Sequence, residues 1–209
     1  MILAIESAST DLSVAVAGPD GATLGSDAWS SDHRQAHELL PRLLDVLNRA
    51  GLTLADTRAV AVGLGPGSFT GLRVGLSVAK GIAFAMKLPI VGVPSLRAWL
   101  AAEPDRAVAV TRAGAAEAYL LARDAEGPIV VERAGLAGLG GAIAARELAS
   151  DFALLDARPP DRAAAAVARL GAQRLAEEPA GDDLERLEPS YLRGPRGIGT
   201  AGKEAIQWL

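Results

Sequence analysis

"GLGPGSFTGLRVGLSVAKG", residues 63–81, decides how this chain is read. A glycine-rich turn, Gly65-Pro66-Gly67, leaves a short apolar run and enters a helical pattern that lasts to about Met86. Ser68 or Thr70 can cap that helix through a side-chain oxygen. A helix N-terminus with free N–H groups attracts anions, so a phosphate cradle is the first reading. The residues oppose it. A Walker loop needs Lys and then Ser or Thr after its last glycine, and here Gly71 is followed by Leu72 and Arg73. The dinucleotide fingerprint needs a sixth-position glycine that "GLGPGS" lacks, and it sits in a βαβ unit. The helix offers another reading. Gly71 and Gly75 are four apart and share a face with Ala79. Leu72, Leu76 and Ala83 make a neighbouring apolar strip, and Arg73, Ser77 and Lys80 a polar one. A glycine inside a helix costs about 1 kcal/mol against alanine. Close packing offsets that cost, either inside the chain's own lobe or against a partner.

Working outward, "MILAIE" reads as a buried strand, "SASTD" as a turn, and "LSVAVAG" and "ATLGSDAW" as two further strands joined at Pro19–Gly21. The period then changes. "HELLPRLLDVLNRA" (37–50) carries Leu40, Leu43, Leu44 and Leu47 at helical spacing and stops at Gly51. Proline fits only a first turn, so the regular helix is expected to start close to Pro41. "AVAVGLG" (59–65) and "LPIVGV" (88–93) are strands on either side of the motif helix. The second half repeats this order. "RAVAVTR", "EAYLLARD" and "PIVVERAGL" are three strands, followed by a helix over 138–149, a strand at "FALLD" and an Ala-rich helix. Two copies of β-β-β-α-β-α predict an α/β protein of two ribonuclease-H-like lobes, the architecture of the actin, sugar-kinase and Hsp70 group. The expected division is 1–103 and 104–209 at "AAEPDR". The final stretch, "RGPRGIGTAGKEAIQWL", is expected to be a tail or a segment packing back on the first lobe.

Composition narrows the chemistry. The chain has 209 residues, 50% of them hydrophobic and 22% charged, which suits a folded core. The net charge of -4 gives no basic stripe for gripping nucleic acid unaided. Zero cysteines exclude disulfides, thiolate metal sites and cysteine nucleophiles. "MILAIESAST" lacks the features of a signal peptide, and no membrane span free of charge or turn residues is found, so the expected location is cytoplasmic, with no membrane partner.

"GPGSFTGLRVGLSVAKGIAFAMKLPIVGVPSL" resembles the bacterial tRNA threonylcarbamoyladenosine biosynthesis family TsaB, also called YeaZ. "ILAIESAS" resembles the family's first strand and turn, "HELLPRLLDVL" its first helix, and "EPSYLR" (188–193) its closing motif. The match is close over 1–97 and at 188–193 and weak between. The resemblance implies the actin-like fold and a non-catalytic subunit. That subunit would bind and activate a catalytic paralogue, TsaD, which adds a threonylcarbamoyl group to adenosine 37 of tRNA. It further implies a TsaE-like ATPase as third partner, a homodimer when TsaD is absent, and tRNA contact only through the complex. No cofactor is expected for this chain itself, with ATP, ADP or Mg at the interface shared with TsaD. Carried over, the docking residues are His37, Leu40, Pro41 and Leu44 of the first helix, with Gly67, Ser68, Phe69, Thr70, Gly71, Arg73, Val74, Gly75, Ser77, Val78 and Lys80 of the motif. Three positions depart from the family pattern: Glu6 stands where Asp is usual, and Arg112 and Gly114 stand where Asp and Arg are common.

Rival chemistries are weaker. His33 and His37 are four apart, but no Glu lies between them as in a zincin and the chain has no third histidine. The paralogue's own H-x-x-x-H pair follows the strand equivalent to "PIVGV", where this chain has Ser95 and Trp99. No metal site is expected, and a metalloprotease reading has no support. An independent ATP-binding actin-like enzyme, a kinase or ATPase, is the alternative. It would use "ESASTD", where Glu6, Ser7, Thr10 and Asp11 are the candidates for a weak nucleotide or Mg²⁺ contact, although the turn has no glycine for close backbone approach. Glu177, Glu178, Asp182 and Asp183 read as a solvated acidic stretch, and Ser68 lacks a G-x-S-x-G setting. No catalytic residue is assigned.

Overall fold

A computed structural model describes residues 1–31, 33–152, 155–157 and 160–192. Two five-stranded sheets repeat one topology. In the first, β1 (Ile2–Glu6), β2 (Asp11–Ala17) and β3 (Thr23–Ser30) form an antiparallel meander. β4 (Ala59–Gly63) and β5 (Ile90–Val93) then extend it in parallel from β1, giving the order β3-β2-β1-β4-β5. In the second, β6 (Val108–Arg112), β7 (Glu117–Ala122) and β8 (Ile129–Glu132) repeat the meander. β9 (Ala142–Ala144) and β10 (Leu155–Ala157) run parallel beside β6, in the order β10-β9-β6-β7-β8. This duplicated α/β architecture is the ribonuclease-H-like pattern that the element order predicts.

Among the described residues, five α-helices complete it: α1 (Gln35–Arg49), α2 (Phe69–Met86), α3 (Ser95–Ala102), α4 (Arg146–Ala149) and α5 (Pro160–Glu177). Alternation across the strands divides the core. Leu3, Ile5, Val14, Val16, Val60 and Val62 face α1 and α2. Ala4, Ala15, Ala17, Ala61 and Val91 face the other way, toward α3 and α5. α5 follows the second sheet in sequence yet packs on the first, touching β1 to β5. Small residues make this approach possible: a Cβ at Gly171 would stand 2.7 Å from the Ala61 Cβ. The Ala164 N–H also donates to Ser13 Oγ at 3.1 Å.

Three local expectations are corrected. The region expected as one helix over 138–149 contains the buried strand β9, with only a short α4 after it. β9 is paired on both sides, by β6 and β10, and that pairing overrides the helix-forming composition. α1 begins at Gln35 and holds Pro41 in its second turn, so the bond to the His37 carbonyl is lost there. Its inward stripe is Leu39, Leu43, Val46 and Leu47, while Leu40 and Leu44 point outward. α3, which has no counterpart among the expected elements, carries the fully buried Trp99.

By length and mean hydropathy α2 alone among the described helices reaches the range of a membrane-crossing helix. In this fold it lies across the first sheet, with Leu72, Leu76, Ala79, Ile82 and Ala83 buried.

Candidate docking face and interlobe cleft

The glycine-rich turn is built around the β1–β2 turn. Gly65 has φ +90°, a left-handed conformation that suits glycine. The Ser68 N–H donates to the Ala8 carbonyl at 2.7 Å, and Ser68 Oγ caps α2 by accepting the Gly71 N–H at 3.2 Å. A Cβ at Gly67 would overlap the Ala8 carbonyl, one at Gly71 the Ser7 carbonyl, and one at Gly75 Ser7 Oγ. Gly67, Gly71 and Gly75 recur every four residues and bring one face of α2 onto the backbone of Ser7–Ala8. The glycine face is thus occupied by the chain's own lobe. Gly71 and Gly75 are buried against this turn. Val74 and Val78 are partly buried and pack on the same core.

What α1 and α2 present outward is different. The two helices lie side by side on one sheet face. α1 exposes His37, Leu40, Pro41 and Leu44, and α2 exposes Phe69, Thr70, Arg73, Ser77 and Phe84. Phe84 is 76% exposed, an unusual state for a phenylalanine. Lys80 is half-buried and donates to the Glu185 carbonyl at 3.1 Å. α1 is fixed to β3 through Glu38. Its carboxylate accepts from the Ser31 hydroxyl at 2.7 Å and the Trp29 indole at 3.0 Å. The Ser31 bond leads in holding Glu38 below its ordinary pKa. Arg42 lies over the Trp29 ring and pairs with Asp27 at 2.9 Å.

A strap, residues 178–192, crosses this lobe. Asp182 joins it to the sheet edge, accepting from the Gly92 N–H at 2.6 Å and from both terminal nitrogens of Arg174 at 2.8 and 3.0 Å. Burial opposes ionisation of Asp182 more than any one contact favours it, but the Arg174 hydrogen bonds, the Gly92 N–H and the Arg174 charge together hold the pKa below the ordinary value. Leu184 and Leu187 pack on the α1–α2 core, and the Ser190 N–H donates to the Leu64 carbonyl at 2.8 Å. The strap delivers Tyr191 to the start of α2. There Arg73 Nε donates to the Tyr191 hydroxyl at 2.9 Å, and the guanidinium sits 3.9 Å above the Phe69 ring centroid.

The nucleotide candidates are placed as follows. Glu6 and Ser7 are fully buried, and Glu6 Oε1 accepts the Ala8 N–H at 2.7 Å. Thr10 and Asp11 reach the second lobe: the Thr10 hydroxyl donates to Glu147 at 2.9 Å, and Arg146 Nε donates to Asp11 Oδ2 at 3.0 Å. Side chains of α4 therefore engage this turn. Ser95 and Trp99 are 0% and 1% exposed. Ser95 Oγ accepts the Gly65 N–H at 3.0 Å, and Trp99 fills the core between the lobes. Among the described residues, no three His, Cys, Asp or Glu side chains gather as a metal site would require. Sequence reasoning missed Phe84, the strap's grip on α2, and the Arg146–Glu147 contacts. Only Phe84 left a signal, as a large apolar residue on the polar side of α2.

Comparison with known proteins now fits this geometry. The family model described as "TsaD: tRNA N6-adenosine threonylcarbamoyltransferase" matches residues 30–149. The TsaB protein of Escherichia coli K12 is 36% identical over 123 residues, covering 56% of this chain and 52% of that protein. A tRNA N6-adenosine threonylcarbamoyltransferase from Geobacter sulfurreducens is 41% identical over 118 residues, covering 49% of this chain and 34% of its own length. The chain spans about half the length, or less, of these curated relatives. The solved structure of YeaZ from Pseudomonas aeruginosa superposes with a TM-score of 0.71 at 26% identity, covering 91% of this chain and 99% of that one. The chain belongs to the tRNA N6-adenosine threonylcarbamoyltransferase family, and within it to the TsaB (YeaZ) group of the actin-like ATPase superfamily.

Proposed function

We propose that this chain serves tRNA threonylcarbamoyladenosine biosynthesis as a non-catalytic subunit that docks on a TsaD-like paralogue through the outward face of α1 and α2 and activates it. The observation that carries this reading is the pair of adjacent helices exposing Leu40, Leu44 and Phe84 at 39%, 41% and 76%. Exposed apolar side chains grouped on one face favour a protein contact. The burial of Ser95 and Trp99, and of Glu6 and Ser7, supports a role without chemistry of its own. The same face would serve a homodimer when the paralogue is absent. A TsaE-like ATPase would join the assembled pair, with any ATP, ADP or Mg held at the shared interface. The setting would be the cytoplasm, where tRNA is modified.

Size-exclusion chromatography with light scattering tests this reading. The purified chain should change partners when a TsaD-like protein from the same cell is added. Leu44→Glu with Phe84→Glu should abolish the heterocomplex while circular dichroism stays unchanged. A complex that survives both substitutions would remove this face from the interface. The independent ATP-enzyme reading predicts nucleotide binding to the isolated chain that Asp11→Ala removes, and calorimetry decides it.

A further inference from the structure

β8 (Ile129–Glu132) is an outer strand of the second sheet, and among the described strands it pairs with β7 alone. The register sets Glu117 opposite Glu132 and Leu120 opposite Ile129. Just beyond it, the Arg133 N–H donates to the Ala116 carbonyl at 2.9 Å. Hydrogen-bonded and non-hydrogen-bonded pairs alternate along an antiparallel ladder. Ile129 and Val131 therefore turn their N–H and C=O groups toward β7, while Val130 and Glu132 turn theirs outward. Edges left to solvent are ordinarily kept polar. Here Ile129 and Val130 are 57% and 38% exposed. One edge of the first sheet, β5, is closed instead by the strap, where Asp182 bridges Ile90.

Side chains alternate across the strand, so Pro128, Val130 and Glu132 fall on one face, opposite Leu121, Tyr119 and Glu117 of β7. Pro128 and Leu121 line a cavity of about 280 Å³ together with Pro66, Pro94 and Leu96. The surroundings of the edge are acidic. Glu117 and Glu132 stand directly across from each other, a pairing that disfavours a sheet. Asp124 and Glu126 are exposed in the β7–β8 turn. The neighbouring cations are committed to other groups. Arg97 donates to the carbonyls of Arg123, Ala125 and Glu126. Arg123 donates to those of Leu100, Glu103 and Arg106. Arg133 donates to the Ala115 carbonyl and pairs with Asp151.

We propose that the outer edge of β8 takes an extended segment of a partner protein as an added antiparallel strand. The segment places a lysine or arginine beside Glu132 and apolar side chains beside Val130 and Pro128, the last at the mouth of the cavity. Main-chain hydrogen bonds to Val130 and Glu132 hold such a strand, and the carboxylates and the cavity select its sequence. A second copy of β8 would bring Glu132 and no cation to this edge. A nucleic acid would meet the carboxylates with like charge. The edge lies on the second sheet and is separate from the α1–α2 face.

The test is fluorescence anisotropy of the full chain with a labelled peptide, Thr-Lys-Thr-Val-Thr-Leu-Thr. In antiparallel register its Lys, Val and Leu stand beside Glu132, Val130 and Pro128. Replacing the peptide's Lys by Glu should weaken binding about fivefold or more, and Glu132→Lys in the chain should reverse that preference. N-methylation of the peptide's Val, whose N–H points at Val130, should weaken binding about tenfold or more. Val130→Pro removes an outward N–H, leaves the β7 side of the ladder intact, and should have the same effect with circular dichroism unchanged. If Val130→Pro disturbs the fold, the methylated peptide and Glu132→Lys carry the test without it. No binding by the parent chain overturns the proposal, as does equal binding of the Lys and Glu peptides or of the methylated and unmethylated ones. So does a dimer of the chain that Val130→Pro dissociates and Leu44→Glu does not, which would give the edge to a second copy.

Discussion

Asp11, at the start of β2 in the first sheet, pairs with Arg146, which follows β9 of the second, with Nε 3.0 Å from Oδ2 and the carboxylate 1% exposed. One residue earlier, the Thr10 hydroxyl donates to Glu147. The β1–β2 turn, which packs against the glycines of α2 on one side, is thus tied to the second sheet on the other. Arg146→Ala removes the guanidinium from a buried carboxylate. It should lower stability by about 1–3 kcal/mol in urea unfolding, the range for a hydrogen bond to a charged group. Small-angle scattering should show the lobes moving apart, and Arg146→Lys should recover part of both effects. An unchanged unfolding midpoint and scattering curve would mean that these contacts do not hold the lobes.

The glycines of α2 separate two kinds of position on one helix. A methyl group at Gly75 collides with Ser7 Oγ, and the adjoining Ser7 Cβ stands 3.1 Å away, so little of the neighbourhood can yield. Overpacking of this kind costs about 1–3 kcal/mol, and Gly75→Ala should lose that much. Gly81 has nothing within 4 Å of its would-be Cβ. Gly81→Ala should therefore gain up to about 1 kcal/mol from helix propensity alone. Urea denaturation of the two variants side by side checks the sign of each.

Much of this was legible before any coordinates. Among the described residues, nine of the ten strands and the duplicated order follow from apolar runs and turn residues, and the buried strands that pair in parallel, β1, β4 and β5, leave continuous Val, Ile and Ala patterns. The misread elements share a physical cause. β9 is three residues long, and its state is set by β6 and β10, which are distant in sequence. The early start of α1 places Glu38 where Trp29 and Ser31 donate to it, a tertiary contact with no local signature. Periodicity put Gly71 and Gly75 on one face but could not say what covers it. The cover is the Ser7 turn, more than sixty residues away in sequence. Leu40, Leu43, Leu44 and Leu47 share helical spacing, and spacing alone does not tell the buried Leu43 and Leu47 from the outward Leu40 and Leu44.

Arg73 and Phe84 lie on the same exposed side of α2 but test different things. Arg73 is spent on Phe69 and Tyr191 and so fastens the end of the strap. Arg73→Glu should speed trypsin cleavage at Arg186, which is 89% exposed within the strap, as well as perturb any docked partner. Phe84→Glu should leave the cleavage rate unchanged and weaken docking alone. Faster cleavage in both variants would mean that Phe84 supports the fold.

Asp182 sets the acid sensitivity of the strap. Burial raises its pKa, but Arg174 and the Gly92 N–H favour the ionised form more, so the folded value lies below 3.8. A carboxyl with a depressed folded pKa contributes its full stability above the unfolded value and loses it as pH falls through the folded value. The Asp182 contribution is therefore complete at pH 7 and fades below 3.8. Asp182→Asn should cost about 1–3 kcal/mol at pH 7, as hydrogen bonds to charged groups do. Below that window the difference between parent and variant should shrink toward zero. Urea unfolding of both proteins from pH 7 down to about 2.5 reads this directly. A difference that stays constant across the whole range would show that the ionised carboxylate is not what fastens the strap to Gly92 and Arg174.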